Sequence, residues 1–318
     1  MKWTKLGRIF QPAHHVLPNG CSEFAQSPQA LVLDDRVRIY FSTRTREPNG
    51  KFLSHIAFVE FDSAMKSVLS VSANPVVKLG SLGCFDEHGI FPINVLRHDG
   101  AVYAFTCGWS RRTSVSIETS IGLGVSHDAG LTFQKLGDGP ILASSLHEPF
   151  LVGDPFVAIY GKTWHMWYIF GTKWMKSTPL ETSPARVYKI AHATSSDGLT
   201  WLREGRQLVN DSLNPDECQA LPTVIEIDKR YHMYFCYRHA TDFRKNKERG
   251  YRIGYAFSDD LHDWTRDDDH VGISFSEKGW DSDMLCYPHV FRCDGNVYML
   301  YNGNEFGRFG FGLARLEV

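Results

Sequence analysis

The chain has no apolar window approaching 18 residues, so nothing in it reads as a membrane-spanning helix. Its first residues, MKWTKLGRIFQPAHH, carry charges but lack the apolar core of a signal peptide. Excess charge is missing too: 34 Lys+Arg stand against 36 Asp+Glu, a net −2 that gives no basis for a nucleic-acid partner or an acidic membrane. Seven cysteines, odd in number and scattered, never adopt the C-x-x-C spacing of zinc or redox sites, and they read as small buried hydrophobes in a reducing compartment. The 14 histidines contain no H-E-x-x-H, and GLGVSHDAG reads as strand and hairpin, not as a dinucleotide fingerprint. No stretch keeps a 3.6-residue apolar period for three turns, which disfavours a helical solenoid. A soluble cytoplasmic protein is expected, with no cofactor, and the oligomeric state stays open.

What is present is a repeat. Pro28, Pro92, Pro155, Pro222 and Pro288 recur at intervals of 63 to 67 residues. Each is followed by a short apolar run, a polar hairpin and an aromatic-rich strand, as in DPFVAIYGKTWHMWYIF and LPTVIEIDKRYHMYF. A second phrase lies between the prolines, in SIGLGVSHDAGLTF, YKIAHATSSDGLTWLR and YRIGYAFSDDLHDWTR, with a degraded copy from His55. It alternates apolar with small or polar residues, turns at a Ser/Asp/Gly cluster and resumes at an aromatic. Four short strands per repeat, repeated radially, predict an all-β protein: a five-bladed β-propeller of four-stranded antiparallel blades. A length of 318 residues would ordinarily suggest two domains, but a ring places 1–318 in one, with blades near 20–75, 85–140, 148–208, 216–270 and 281–318 plus 2–10. The last repeat lacks a fourth strand, and KWTKLGRIF resembles the outer strands, so the N-terminal segment is expected to pair into the last blade and close the ring.

This topology sorts residues by rim. Asp99, Asp128, Asp197, Asp260 and Asp294 fall in hairpins and read as turn formers. The loops before the prolines share the opposite rim, where a carboxylate stands five positions before the proline in four repeats: Glu23, Glu87, Glu217 and Asp283. In the third repeat Asp154 precedes Pro155 directly, and Glu148 lies seven residues before it. Asp86, Asp216 and Asp281 add to the acids, which are expected to converge on a central mouth and raise one another's pKa. The aromatic strands end on the same rim with Arg44, Trp109, Trp174, Arg238, Asn302 and Asn304, and His88 sits beside Glu87. Arg and Asn hydrogen-bond sugar hydroxyls or carboxylates and Trp offers a face to a sugar ring, so the set reads as a carbohydrate site. The plainer alternative is that Arg44 and Arg238 neutralise neighbouring acids.

The fivefold phrase, GDPFVAIYGKTWHMWY around Asp154 and DECQALPTVIEIDKRYHMYF around Glu217 resemble the five-bladed propeller glycosidases of families 43 and 32, over essentially the whole chain. The resemblance implies three carboxylates from the first, third and fourth blades. It gives Asp154 a transition-state-stabilising role and Glu217 the role of general acid. In the first blade Ser27-Pro28 stands where those hydrolases have Asp-Pro, which leaves Glu23, Asp86, Glu87 or Asp283 as the candidate base. FDEHGIFP, DECQALP and WDSDMLCYP resemble a branch of glycosidase-like propellers associated with bacterial surface-polysaccharide gene sets, and this shifts weight to Glu87, Glu217 and Asp283. His289, on the inner strand, matches a channel histidine that in family 43 can sit by a central cation; a structural or substrate-binding role is the simpler reading, with no metal. The expected function is cleavage or transfer of a glycosidic bond in an oligo- or polysaccharide. The alternative is a glycan-binding propeller that lost hydrolysis with the first-blade Asp, and a weaker third is a protein scaffold.

Overall fold

The computed structural model describes residues 1–176 and 183–317, which carry twenty strands and only short 3-10 turns as helix. Strand β1 (Trp3–Phe10) opens the chain. A first unit follows: β2 (Gln26–Val32), β3 (Arg36–Arg46), β4 (Phe52–Asp62) and β5 (Val68–Val71). The next is β6 (Gly89–His98), β7 (Ala101–Arg111), β8 (Ile117–Ser126) and β9 (Gln134–Lys135). The third comprises β10 (Val152–Tyr160), β11 (Thr163–Met175), β12 (Ala185–Ser195) and β13 (Leu202–Arg203). Then come β14 (Glu217–Ile227), β15 (Arg230–His239), β16 (Arg252–Ser258) and β17 (Thr265–Arg266), and finally β18 (Cys286–Cys293), β19 (Asn296–Asn302) and β20 (Phe311–Leu316).

Each unit is an antiparallel meander, and the first two are joined by a single parallel bridge between Ser54 and Gly89. In the last unit β1 pairs antiparallel with β20, from Trp3 opposite Leu316 to Phe10 opposite Phe311, so the N-terminal strand supplies its outer edge as expected. The short strands β9, β13 and β17 begin directly after Phe133, Trp201 and Trp264, the aromatics that end the second phrase. Asp197 and Asp260 take up the turns before them, each accepting two backbone N–H bonds at 2.8–2.9 Å, and Asp99 and Asp294 turn hairpins at φ +47° and +46°.

Alternation along the strands buries apolar residues on both faces of each unit, so the core lies between units rather than inside them. Phe105 and Ile121 meet Met166 and Tyr168; Trp167 and Ile190 meet Met233 and Phe235; Tyr234 and Ile253 meet Met299 and Tyr301. Phe41 and Phe61 meet Leu300 and Phe311, which brings the last unit against the first. The first strands of the units also touch in sequence, β2 to β6, β6 to β10, β10 to β14, β14 to β18 and β18 to β2. Asn94 stitches three of them: its Nδ2 donates to Gln29 Oε1 at 3.1 Å, and its Oδ1 accepts from the Val157 N–H at 2.9 Å. The whole is an all-β arrangement of four-stranded antiparallel sheets consistent with a propeller.

Candidate active site

The repeated prolines turn out to be what shapes the centre. Proline has no N–H to give to a ladder, so an inner strand can hold one only at an irregularity. All five inner strands show a register shift across their proline, between Gln26 and Gln29, Ile90 and Ile93, Gly153 and Phe156, Ala220 and Thr223, and Cys286 and His289. At four of these bulges the residue before the proline has a left-handed backbone: Ser27 (φ +52°), Asp154 (+50°), Leu221 (+49°) and Tyr287 (+57°). A bulge re-aims side chains. Here it sends Asp154 and Tyr287, with Phe91 of the second unit, into the wall of a central cavity of about 1440 Å³.

Asp154 is 8% exposed, and its carboxyl is pushed up to about 7, chiefly because burial penalises the charged form. The Leu221 backbone and the Arg186 charge counter that only in part. A carboxyl poised there donates or accepts a proton at neutral pH. Its neighbour Cys107 is held well above its ordinary range by burial and by the Asp154 charge, so it stays a thiol. Trp109 walls the cavity because β6 starts with glycine: a Cβ on Gly89 would lie 2.3 Å from Trp109 Nε1.

The rest of the wall is basic and aromatic. Among the described residues the cavity is lined by nine Arg or Lys and by three acids, Asp154, Asp242 and Glu305, the last two at the exposed mouth. Glu305 is already held by Arg308 at 3.0 Å. Arg111 pairs with Glu47 and Arg112 with Glu118 outside the cavity, but Arg44, Arg238 and Arg244 make no ion pair among the described residues. They lie against rings instead: Arg44 is 4.6 Å from the centre of Phe24, Arg238 is 3.6 Å from that of Phe243, and Arg244 is 4.7 Å from that of Phe306. Arg44 and Arg238 therefore do not neutralise neighbouring acids.

The ring of acids read from the sequence does not converge. Glu217, assigned the general-acid role, is fully buried away from the cavity and saturated: Arg266 sits at 2.6 Å, and the Ser212 and Leu213 N–H groups donate at 2.9 Å. These partners hold its pKa below the ordinary value despite burial, the opposite of what a proton donor needs. Asp86 is likewise buried and paired with Lys135 at 2.9 Å, Glu148 with Arg203 at 2.6 Å, and Asp281 with Lys5 at 2.7 Å. In all four cases the cation lies on the outermost strand of the acid's own unit, β9, β13, β17 or β1. The recurrent acid is a strut that ties the loop before the inner strand to the far edge of the sheet. The offset of five was the wrong register, since Glu217 alone of the four acids at that offset is a strut.

The other expected site residues fall outside the cavity or at its edge. Glu87 accepts from the Gly83 N–H at 3.0 Å, Asp283 is exposed, and Glu23 pairs with Arg308 at 2.7 Å beside the mouth. His88 stacks on Trp109 at 5.9 Å and accepts from the Arg111 N–H at 3.4 Å, behind the wall. Trp174 packs on Arg186 at 5.8 Å. Asn302 is consumed by the backbone, donating to the Ala25 and Gly310 carbonyls and accepting from the Ser27 N–H at 2.8 Å each, and Asn304 accepts from the Asp283 and Met284 N–H groups. His289 is buried between Phe156 and Phe291 with neither ring nitrogen in a hydrogen bond among the described residues, and burial lowers its pKa to about 3. The described residues hold no grouping of three or more His, Cys, Asp or Glu spaced to hold a metal ion. Of the site residues expected from the sequence, Asp154, Arg44, Trp109 and Arg238 line the cavity. Phe91 and Tyr287 were missed although they occupy the same pre-proline position as Asp154, and Arg244 was missed although TDFRKNKERG makes the β15–β16 connection far longer than a hairpin.

No protein-family model matches the chain. Among solved structures, a glycoside hydrolase superposes with a TM-score of 0.74 at 16% identity, covering 99% of this chain and 93% of that one. A thermostable family-43 glycoside hydrolase gives 0.66 at 14% identity, covering 95% and 93%. A β-1,2-mannobiose phosphorylase from Listeria innocua gives 0.67 at 12%, covering 98% and 96%. The chain thus has the propeller fold of the family 43 and family 32 glycoside hydrolases. In sequence it is 33% identical, over 100% of both chains, to the uncharacterized proteins MT1551 and Rv1502 of two Mycobacterium tuberculosis strains. With that identity running end to end, the chain belongs to the family of MT1551 and Rv1502.

Proposed function

We propose that the chain is a single five-bladed propeller domain and a carbohydrate-active enzyme that cleaves or transfers a glycosidic bond in an oligosaccharide, with Asp154 as its general acid. The observation that carries this reading is Asp154, among the described residues the one buried carboxyl that lines the cavity, raised to about 7. At neutral pH it is half protonated, able to hand a proton to a departing glycosidic oxygen and to take one back from the next acceptor. Trp109, Phe91 and Tyr287 supply flat faces for sugar rings. The glycosidase fold supports the same class of substrate.

Two-carboxylate mechanisms place their acids about 5 to 9.5 Å apart across the scissile bond. The cavity offers Asp154 for one half of that chemistry. Ser27, at the first-unit position where a base would stand, has no charge to contribute. The incoming group must therefore arrive already nucleophilic, and the likeness in fold to a phosphorylase is in keeping with an acceptor other than water. That no second buried acid lines the cavity among the described residues also favours a second reading, a binding propeller without turnover.

Incubating wild type and Asp154→Asn with a panel of bacterial oligosaccharides, with and without phosphate, separates the two. The enzyme reading expects new saccharide products from the wild type, a loss of turnover on the order of 100-fold or more in Asp154→Asn, and retained binding. Sugars that bind the wild type and are recovered unchanged under every condition would establish the binding module.

A further inference from the structure

We infer that Arg44, Arg238 and Arg244 form an oxyanion subsite in the cavity that holds Asp154, taking a phosphate or carboxylate group of the substrate or co-substrate. The inference extends the proposed function, because it names the charge of what enters the site.

Three observations carry it. First, the guanidinium groups lie close together and, among the described residues, no anion pairs with them. Arg238 and Arg244 share the ring of Phe243, at 3.6 and 5.0 Å from its centre, and the Arg244 charge acts on Arg44, whose pKa is lowered chiefly by burial. Like charges brought together and partly desolvated repel, and a folded chain keeps such an arrangement only when something offsets it. Second, donors are left over. Arg238 is 3% exposed and spends its terminal nitrogens on the Tyr188 hydroxyl and the His239 carbonyl at 2.8 Å, while its Nε has no partner. The Nε of Arg44 is also buried without one. Both N–H groups face the same cavity and need an acceptor that the described residues do not supply. Third, the guanidinium planes are fixed by Phe24, Phe243 and Phe306, and Phe243 and Phe306 meet edge-to-face at 5.9 Å. Planar, oriented guanidinium is what bidentate recognition of phosphate or carboxylate requires. These residues come from β3, β15 and the β15–β16 loop, so the subsite is built from separate parts of the chain.

The test is calorimetric titration of the full chain with inorganic phosphate, with D-glucuronate and with neutral D-glucose, at low and high salt. The inference expects binding of at least one anion, weakened by salt, with glucose far weaker. It expects a tenfold or greater loss in Arg44→Gln and in Arg244→Gln; the Arg244 side chain is exposed, so that variant keeps its fold. Phosphate alone assigns the subsite to a free co-substrate, and glucuronate binding assigns it to an acidic sugar. No anion binding, or binding that both variants retain in full, overturns it. Asp154→Asn keeps anion binding if the subsite stands, whatever happens to turnover. Loss of turnover in that variant without any anion binding in the wild type would defeat the subsite and spare the proposed function.

Discussion

Replacing Asp154 by Asn tests the centre of the argument through stability before any substrate is known. An unperturbed Asp ionises near 3.8, whereas in the folded protein Asp154 does so at about 7. Between those two values the folded state holds a proton that the unfolded state has lost, so stability falls as pH rises, and the loss is complete above about pH 7. A shift of about three units at 1.36 kcal/mol each makes this about 4 kcal/mol. Asn has the shape of the protonated acid and no charge, so the variant escapes that loss. Its advantage over the wild type should grow from about 1–2 kcal/mol at pH 5 to about 4 kcal/mol at pH 8. With an unfolding entropy of about 2 cal/mol/K per residue, this is a gain of roughly 6 °C in the unfolding midpoint at pH 8. Differential scanning calorimetry or fluorimetry across pH 5–9 reads it directly. A difference that does not change with pH would mean that Asp154 ionises normally, and the general-acid assignment would go with it.

Two further substitutions and a deletion probe the rest of the structure. Glu217→Gln leaves the buried Arg266 without its main partner and should cost about 3 kcal/mol of stability while turnover per folded molecule holds; a tenfold fall in turnover with unchanged unfolding would return Glu217 to the chemistry. Deleting residues 2–10 uncovers the edge of β20 and strips Lys5 from Asp281, so gel filtration should show self-association and the melt should broaden; a chain that elutes and melts as the wild type does would refute the protection of that edge by β1. His289→Leu removes a buried imidazole that makes no hydrogen bond among the described residues and should be neutral or stabilising by up to about 2 kcal/mol; marked destabilisation would reveal a partner for the ring.

The fold was legible because its signals are local and repeated. Alternation, Asp turns and an aromatic before β9, β13 and β17 all follow from chain geometry, and the likeness of KWTKLGRIF to the outer strands was enough to predict the pairing of β1 with β20. The site was legible only where backbone geometry dictates it. Asp154 was found because it sits at the bulge before Pro155, and the same position should have nominated Phe91 and Tyr287. Arg44 and Arg238 were found because they end strands on the right rim. Arg244 and Phe243 lie in the β15–β16 connection, which is longer than the matching connections of the other units, so the register of the repeats could not place them.

The acids failed for a physical reason. A carboxylate repeated in every unit can be repeated for the sheet's sake or for the centre's sake, and sequence spacing does not separate the two. Chemistry at a single central site needs an asymmetric set, because one substrate presents one leaving oxygen to one donor. A strut serves its own unit and so can recur, as it does in four of the five units here. Asp86, Glu148, Glu217 and Asp281 recur, are buried, and each finds a cation on its own outer strand. Asp154 has no counterpart: the same position holds Ser27, Phe91, Leu221 and Tyr287 in the other units. In a repeat protein the acid that breaks the pattern is the better candidate for catalysis, and in this chain that acid is also the one whose burial raises its pKa into the working range.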